Sequence, residues 1–365
     1  MQTNTATKRI GWIDALRGFT MILVVFYHVE IFSLGIEPDF GLNGLFKLFR
    51  MPLFFFISGF IAYRSNELWD AAHYRTRLLK KARIQLIPVV FFGLLYTVTC
   101  FAAKRGITPL ESINIFVNDP GRLGYWFPIV LFEMFFIYYT VSFLLRNSRL
   151  KVRQIALVLI SVVLYCFAIR SITQYEHIAV ARWFCLYNFC LYFQFFILGN
   201  IVSHYKEKVF NLLGNAYIMA IILLLFVGFL IMYWHQADVQ NLYIHTYTSK
   251  LLAEAISYLG ILTILSVFKH YAQFFSKETK VGSCLQYIGQ RTFDIYLLHA
   301  FLLPTLPMLG AFFIAYNNIA LEASAVLVLS LLVILFCLIV SHIVRVSPLL
   351  AHWLFGVKWD RTTKE

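Results

Sequence analysis

Long apolar runs, each closed by charged or turn-forming positions, dominate the chain. They lie near residues 10–34, 44–63, 84–103, 125–145, 154–170, 183–203, 216–235, 250–268, 290–316 and 323–345. About 20 apolar residues of α-helix suffice to cross the hydrocarbon core of a bilayer. The connections between the runs differ sharply in charge. Taken alternately from Lys8 and Arg9, one set of connections holds 22 Lys and Arg; the other holds only Lys104, Arg105, Arg122, Arg170, Arg182 and Lys250. Such an asymmetry, kept connection by connection, places the richer side in the cytoplasm. The pattern therefore predicts an all-α integral membrane protein of about ten transmembrane helices, N- and C-termini cytoplasmic. Residues 1–365 read as a single membrane domain, with no repeat or linker dividing it.

Composition agrees. Hydrophobic residues make up 60% of the chain and charged residues 13%, with a mean hydropathy of +0.74; a soluble domain carries about a quarter charged residues. The net charge of +13 follows from topology and argues against a nucleic-acid partner. The first run carries Asp14, Arg17 and His28 and continues to Leu34, so it reads as a retained helix and not a cleavable leader. The six cysteines lie in or beside apolar runs, without metal-ligand spacing, and read as buried thiols. No metal is expected.

Ionisable residues inside spans are costly, at least ~2.5 kcal/mol each on insertion scales, and mark a site or a pair. Arg17 and His28, eleven positions apart, fall within about 20° of one another around the helix and about 16 Å apart along it. Asp14 can pair with Arg17. Arg50 begins the second run at the depth of His28, and Ser58-Gly59 follow where small residues let helices approach. Glu133 has no partner within its own run, leaving Arg50 or His28 as candidates. His299 is expected at the level of Arg17, and Asp294 at the membrane boundary. Trp126 fits an interfacial aromatic belt. Arg75, Arg77, Lys80, Lys81 and Arg83 form a basic loop suited either to anionic lipid or to phosphate.

Together these segments resemble the acyltransferase-3 family of bacterial membrane enzymes, which acylate sugars and surface polysaccharides. The likeness is carried by Ile13-Asp-Ala-Leu-Arg17-Gly18 with Val24-Val-Phe-Tyr-His28, and by Arg50-Met-Pro-Leu-Phe-Phe-Phe-Ile-Ser-Gly59. Arg77 to Pro88, Tyr125-Trp-Phe127, Phe196-Ile-Leu-Gly199, Tyr287-Ile-Gly289 and Ile295-Tyr-Leu-Leu-His299 add to it. The fucose-4-O-acetylase-like and intercellular-adhesin-type branch is the most similar. The resemblance implies an O-acetyltransferase in the bacterial cytoplasmic membrane, with acetyl-CoA or another acyl-CoA as donor. The acceptor would be a hydroxyl of a glycan or lipid-linked saccharide, among other polysaccharide-biosynthesis proteins. It implies catalytic roles for His28, as general base, and Arg17. Donor contacts would come from Arg17, Arg75, Arg77, Lys80, Lys81 and Arg83, and substrate contacts from Arg50, Ser58, Trp126 and His299; Glu133 is a further substrate-contact candidate only as an acid inside a span, not through the resemblance. Two positions depart from the family pattern: Leu131 stands where a sister branch has an acid, and Gln85 where many members have an arginine. The alternative is a glycan exporter or flippase without acyl-transfer chemistry.

Overall fold

The computed structural model describes residues 9–37, 42–64, 69–170, 178–237 and 242–357. Lys8, Lys358, Arg361 and Lys364, which enter the charge asymmetry, lie outside the described residues, as does the connection 171–177. Among the described residues every regular element is helical. α1 (Gly11–His28) runs on through a π-helical turn, Val29–Ser33, and α2 (Asn43–Phe46) leads to α3 (Arg50–Ala62). α4 (Ala71–Tyr96) continues through a second π-turn, Thr97–Phe101, into α5 (Ala102–Arg105). α6 (Pro109–Asn118) and a third π-turn, Gly121–Tyr125, precede α7 (Trp126–Leu144) and α8 (Leu150–Arg170). Next come α9 (Ala179–Trp183), α10 (Leu186–His204), α11 (Lys206–Leu213), α12 (Ala216–Ala237) and α13 (Leu242–His270). α14 (Lys280–Gln290), α15 (Thr292–Leu302), α16 (Pro307–Tyr316), α17 (Ile319–Arg345) and α18 (Pro348–Phe355) complete the fold.

Among the described residues, eight helices are long and apolar enough to span a membrane: α1 with its π-turn, α4 through α5, α7, α8, α10, α12, α13 and α17. The remaining two expected spans are irregular. Residues 290–316 form α15 and α16, bent by 96° across the break between them. The run 44–63 becomes the 13-residue α3, about 20 Å long, with α2 ahead of it. The third span also starts earlier than expected. Asp70 caps α4 by accepting from the His73 N–H at 2.6 Å, and the Arg, Lys, Leu and Ala that follow are good helix formers. Arg75 to Arg83 are therefore helical, not a loop.

The core is held by glycine crossings. An added Cβ on Gly59 would lie 1.8 Å from the Phe196 carbonyl oxygen, and one on Gly199 1.9 Å from that of Phe56. The same reciprocity joins α1 to α14: Gly18 abuts the Leu285 carbonyl and Gly289 that of Asp14. Close backbone approach of this kind is how membrane helices gain packing energy without a hydrophobic drive between them. α12 stands at the periphery, mostly exposed to lipid, with α13 between it and α3.

Asp294, expected at the membrane boundary, lies at a junction between two helices. It is buried, 3% exposed, and accepts from Arg345 of α17 at 2.7 and 2.9 Å, with the Ser341 hydroxyl as a further donor. The bond ties the start of α15 to the end of α17. Replacing Asp294 with asparagine is expected to cost about 1.5–3 kcal/mol, the worth of hydrogen bonds to a charged group, read as a lower unfolding midpoint in detergent. The thiols divide: Cys185, Cys190 and Cys337 are buried as expected, whereas Cys166 and Cys284 are exposed.

Candidate functional site

The site is strung along α1. Its proximal end, on the side where α1 begins, opens into a cavity of about 800 Å³. Arg9, Arg17, Arg64, Arg153 and Lys206 line it, with Asp14 as the one carboxylate among the lining residues. Asp14 bonds Arg9 at 2.6 Å and lies 3.8 Å from Arg17, so its one negative charge is shared between two of the five cations. Arg17 also donates to the Thr292 hydroxyl at 3.0 Å, which anchors the start of α15 on α1. At the rim Tyr63 and His204 are bonded at 2.6 Å. The chemistry this arrangement offers is the capture of a polyanion.

The expected basic group does not form one surface. A helix turns each residue by 100°, and α4 fans the five side chains around itself. Arg75 and Lys80 are exposed. Arg77 donates to His73 at 3.2 Å, and Arg83 bonds His352 of α18 at 3.1 Å. Lys81 points inward: its ammonium sits 3.5 Å over the Phe135 ring, within electrostatic reach of Arg17 and Arg64. None of the five lines the cavity. Arg9, Arg64, Arg153 and Lys206 take that place, although their sequence signal was only a position at span ends.

At the distal end His28 is half-buried, with its Nδ1 inside and without a hydrogen-bond partner. Its ring lies 4.6 Å from that of His299 and 5.7 Å from Phe32. His299 is thus beside His28 and not at the level of Arg17. Thr292 bonds Arg17, and the two turns of α15 that follow carry His299 along α1 to His28. The Arg50 guanidinium, 6% exposed, lies 4.0 Å over the Tyr27 ring and donates to Asn43 at 3.0 Å. It is within electrostatic reach of His28. Glu30 and Glu322, fully buried and 2% exposed, face one another nearby. Glu30, Tyr27, Asn43 and Tyr192 are components that the sequence reading passed over. Glu30 follows His28 by two residues, and a buried acid in an apolar run was the available signal.

Three of the remaining candidates are placed as follows. Trp126 stacks on Tyr192 at 5.9 Å, which in turn stacks on Phe55 at 5.2 Å, joining it to the distal cluster. Ser58 donates to the Phe54 carbonyl of its own helix at 2.9 Å. Glu133 meets neither Arg50 nor His28: both carboxylate oxygens are buried without a hydrogen-bond partner, nearest electrostatically to Cys185 and Cys190.

Irregular backbone converges on His28. The π-turn Val29–Ser33 follows it directly, and the break between α2 and α3 positions Arg50. The Leu306 N–H donates to the Ser33 carbonyl at 2.7 Å, seating the α15–α16 break against the same turn. The Tyr296 hydroxyl donates to the carbonyl of Gly124, whose φ of +88° suits glycine alone. Non-helical backbone at membrane depth survives only where protein buries it or a water-filled cavity lines it, and it recurs where membrane proteins bind polar substrates.

Fold and site together define a multi-pass helical membrane protein with a cationic cavity at one end of α1 and a histidine–arginine cluster at the other. The acyltransferase-domain family model matches residues 10–342, and the chain belongs to that family. Relatives include the probable poly-β-1,6-N-acetyl-D-glucosamine export proteins of Staphylococcus aureus strains MSSA476, MW2 and N315. Each is 25% identical over 312 residues, which is 82% of this chain and 80% of the relative. No solved structure matches.

Proposed function

We propose that this protein is a membrane O-acyltransferase that moves an acyl group, most simply acetyl, from acyl-CoA to a hydroxyl of a glycan or its lipid-linked precursor. The observation that carries the reading is α1 itself. One helix delivers Arg17 to a cationic cavity and His28 to a buried histidine–arginine cluster. Coenzyme A is a polyanion that fits five cations against one carboxylate. The pantetheine arm equals about five extended residues, ~17 Å, close to the ~16 Å between Arg17 and His28 along the helix. With the proximal side cytoplasmic, as the positive-inside asymmetry supports, donor phosphates stay at the cytoplasmic mouth while the thioester reaches His28.

In this mechanism His28 takes the proton of the sugar hydroxyl as its oxygen attacks the thioester carbonyl. Arg50 steadies the tetrahedral oxyanion. The C–S bond then breaks, and the leaving thiolate recovers the proton from the imidazolium. Direct transfer is favoured over an acyl-enzyme on Ser58, whose hydroxyl is turned back onto its own helix. Replacing Arg17 with alanine is expected to raise the donor KM about 10- to 100-fold, from hydrogen bonds to charged groups of about 1.5–3 kcal/mol, with the acceptor KM unchanged. Donor titrations of purified enzyme check this.

The second reading is glycan export, favoured by the names of the staphylococcal relatives and by the bent α15–α16 pair. Mass spectrometry of surface glycans with and without the gene separates the two. Loss of ester-linked acyl groups supports transfer. Fully acylated glycan retained inside the cell overturns it in favour of export.

A further inference from the structure

Tyr165 of α8, Gln194 of α10, and Glu254 and Tyr258 of α13 form one hydrogen-bonded network. Gln194 Nε2 donates to Glu254 at 2.7 Å and to the Leu191 carbonyl at 3.1 Å. The Tyr258 hydroxyl donates to Gln194 Oε1 at 2.7 Å, and Tyr165 bonds Glu254 from the other side. Phe195 stacks against Tyr258 at 5.0 Å. One turn along α13, Ser257 donates to the Leu48 carbonyl in the break ahead of α3, two residues from Arg50. Tyr192 lies within electrostatic reach of both Arg50 and Glu254. The network thus sits beside the distal cluster, on the outer side of α10.

Polar bonds between membrane helices commonly act as glue, and then they lie inside the helix interface. These do not. Tyr165, Gln194, Glu254 and Tyr258 are all half-exposed, on helices that span the membrane. A carboxylate turned toward acyl chains is costly, so this face opens onto something polar. The donor set narrows what that is. A carboxylate and a carboxamide oxygen held as a rigid pair keep lone pairs free to accept from neighbouring hydroxyls, while tyrosine rings flank them with apolar faces. No cationic side chain belongs to the network, so it does not suit phosphate. That combination of hydroxyl recognition and aromatic flanking matches a sugar ring.

We propose that Tyr165, Gln194, Glu254 and Tyr258 form a saccharide-binding subsite that holds the acceptor glycan beside Arg50 and His28. The proposal rests on the acyltransferase reading for its place in the reaction, but saccharide binding itself does not need that chemistry. The test uses the full-length protein in lipid nanodiscs, with two probes. One is a free β-1,6-linked N-acetylglucosamine oligosaccharide, and the other is the same oligosaccharide on a polyprenyl diphosphate.

In a His28→Ala background, which removes turnover, calorimetry is expected to detect saccharide binding. Adding Glu254→Gln or Gln194→Ala should weaken it by roughly tenfold or more. In the enzyme with His28 intact, Glu254→Gln should raise the acceptor KM by a similar factor and leave the donor KM and the melting temperature unchanged. Binding of the free probe identifies the polymer as occupant, and binding of the lipid-linked probe alone identifies the precursor. Absence of binding by either probe overturns the proposal. So does an unchanged affinity in the variants, or a fall in melting temperature with both KM values rising together, which is the mark of structural glue. Saccharide binding that depends on Glu254 in a protein without acyl transfer would retain the subsite and overturn the enzyme reading instead.

Discussion

Replacing His28 with glutamine is expected to reduce acyl transfer by about 10²–10⁴-fold, the usual contribution of a positioned general base, while donor binding is kept. The argument is local. His28 is half-buried, its ring is flanked by Phe32 and His299, and Arg50 lies within electrostatic reach. His299 helps to place it. Its Nδ1 lies 2.8 and 3.2 Å from the Tyr296 and Ile295 carbonyls. A carbonyl can only accept, so Nδ1 carries the hydrogen and Nε2 keeps a lone pair. In the proposed mechanism His299 serves as a positioning residue. Its glutamine variant is expected to lose about tenfold in kcat, less than His28 because general-base catalysis itself is retained. Transfer of labelled acetyl groups to acceptor by purified protein is the measurement. Near wild-type turnover in the His28 variant would remove the base from the mechanism.

The centre was partly legible because a membrane makes polar residues conspicuous. Arg17, His28, Arg50 and His299 stand out of apolar runs, and helical geometry placed the first two on one face. The proximal cavity was less legible. Arg64, Arg153 and Lys206 come from three different span ends, so no local pattern links them, whereas Arg75 to Arg83 form a conspicuous run that α4 then disperses. Depth also failed at one place. Counting the span from residue 290 put His299 at the level of Arg17, but Thr292 is the residue that bonds Arg17, so the seven residues that follow bring His299 to His28. Glu133 was assigned a partner because an unpaired acid in lipid is costly; its oxygens lie inside the protein, without a hydrogen bond, near two thiols.

Leucine at Gly59 is expected to prevent accumulation of folded protein. The glycines that end four of the recognised motifs are the two crossings of the core: Gly59 meets Gly199 across α3 and α10, and Gly18 meets Gly289 across α1 and α14. At Gly59 even an alanine Cβ would stand 1.8 Å from a backbone carbonyl oxygen. The carbonyl belongs to a helix and cannot swing aside, so the helices must separate. In a membrane that is expensive, because close van der Waals contact, and not exclusion from water, holds them together. Overpacking typically costs 1–3 kcal/mol, occasionally more; alanine should fall near the upper end of that range, and leucine beyond it. Alanine at Gly199 meets the same contact from the other side. The Gly59→Ala, Gly199→Ala pair should therefore cost less than the sum of the single changes, since helices parted once accommodate both methyl groups. Fluorescence-detected chromatography and thermal unfolding in detergent measure both effects. Wild-type stability of the single alanine variants would show that α3 and α10 do not meet as closely as the structure places them.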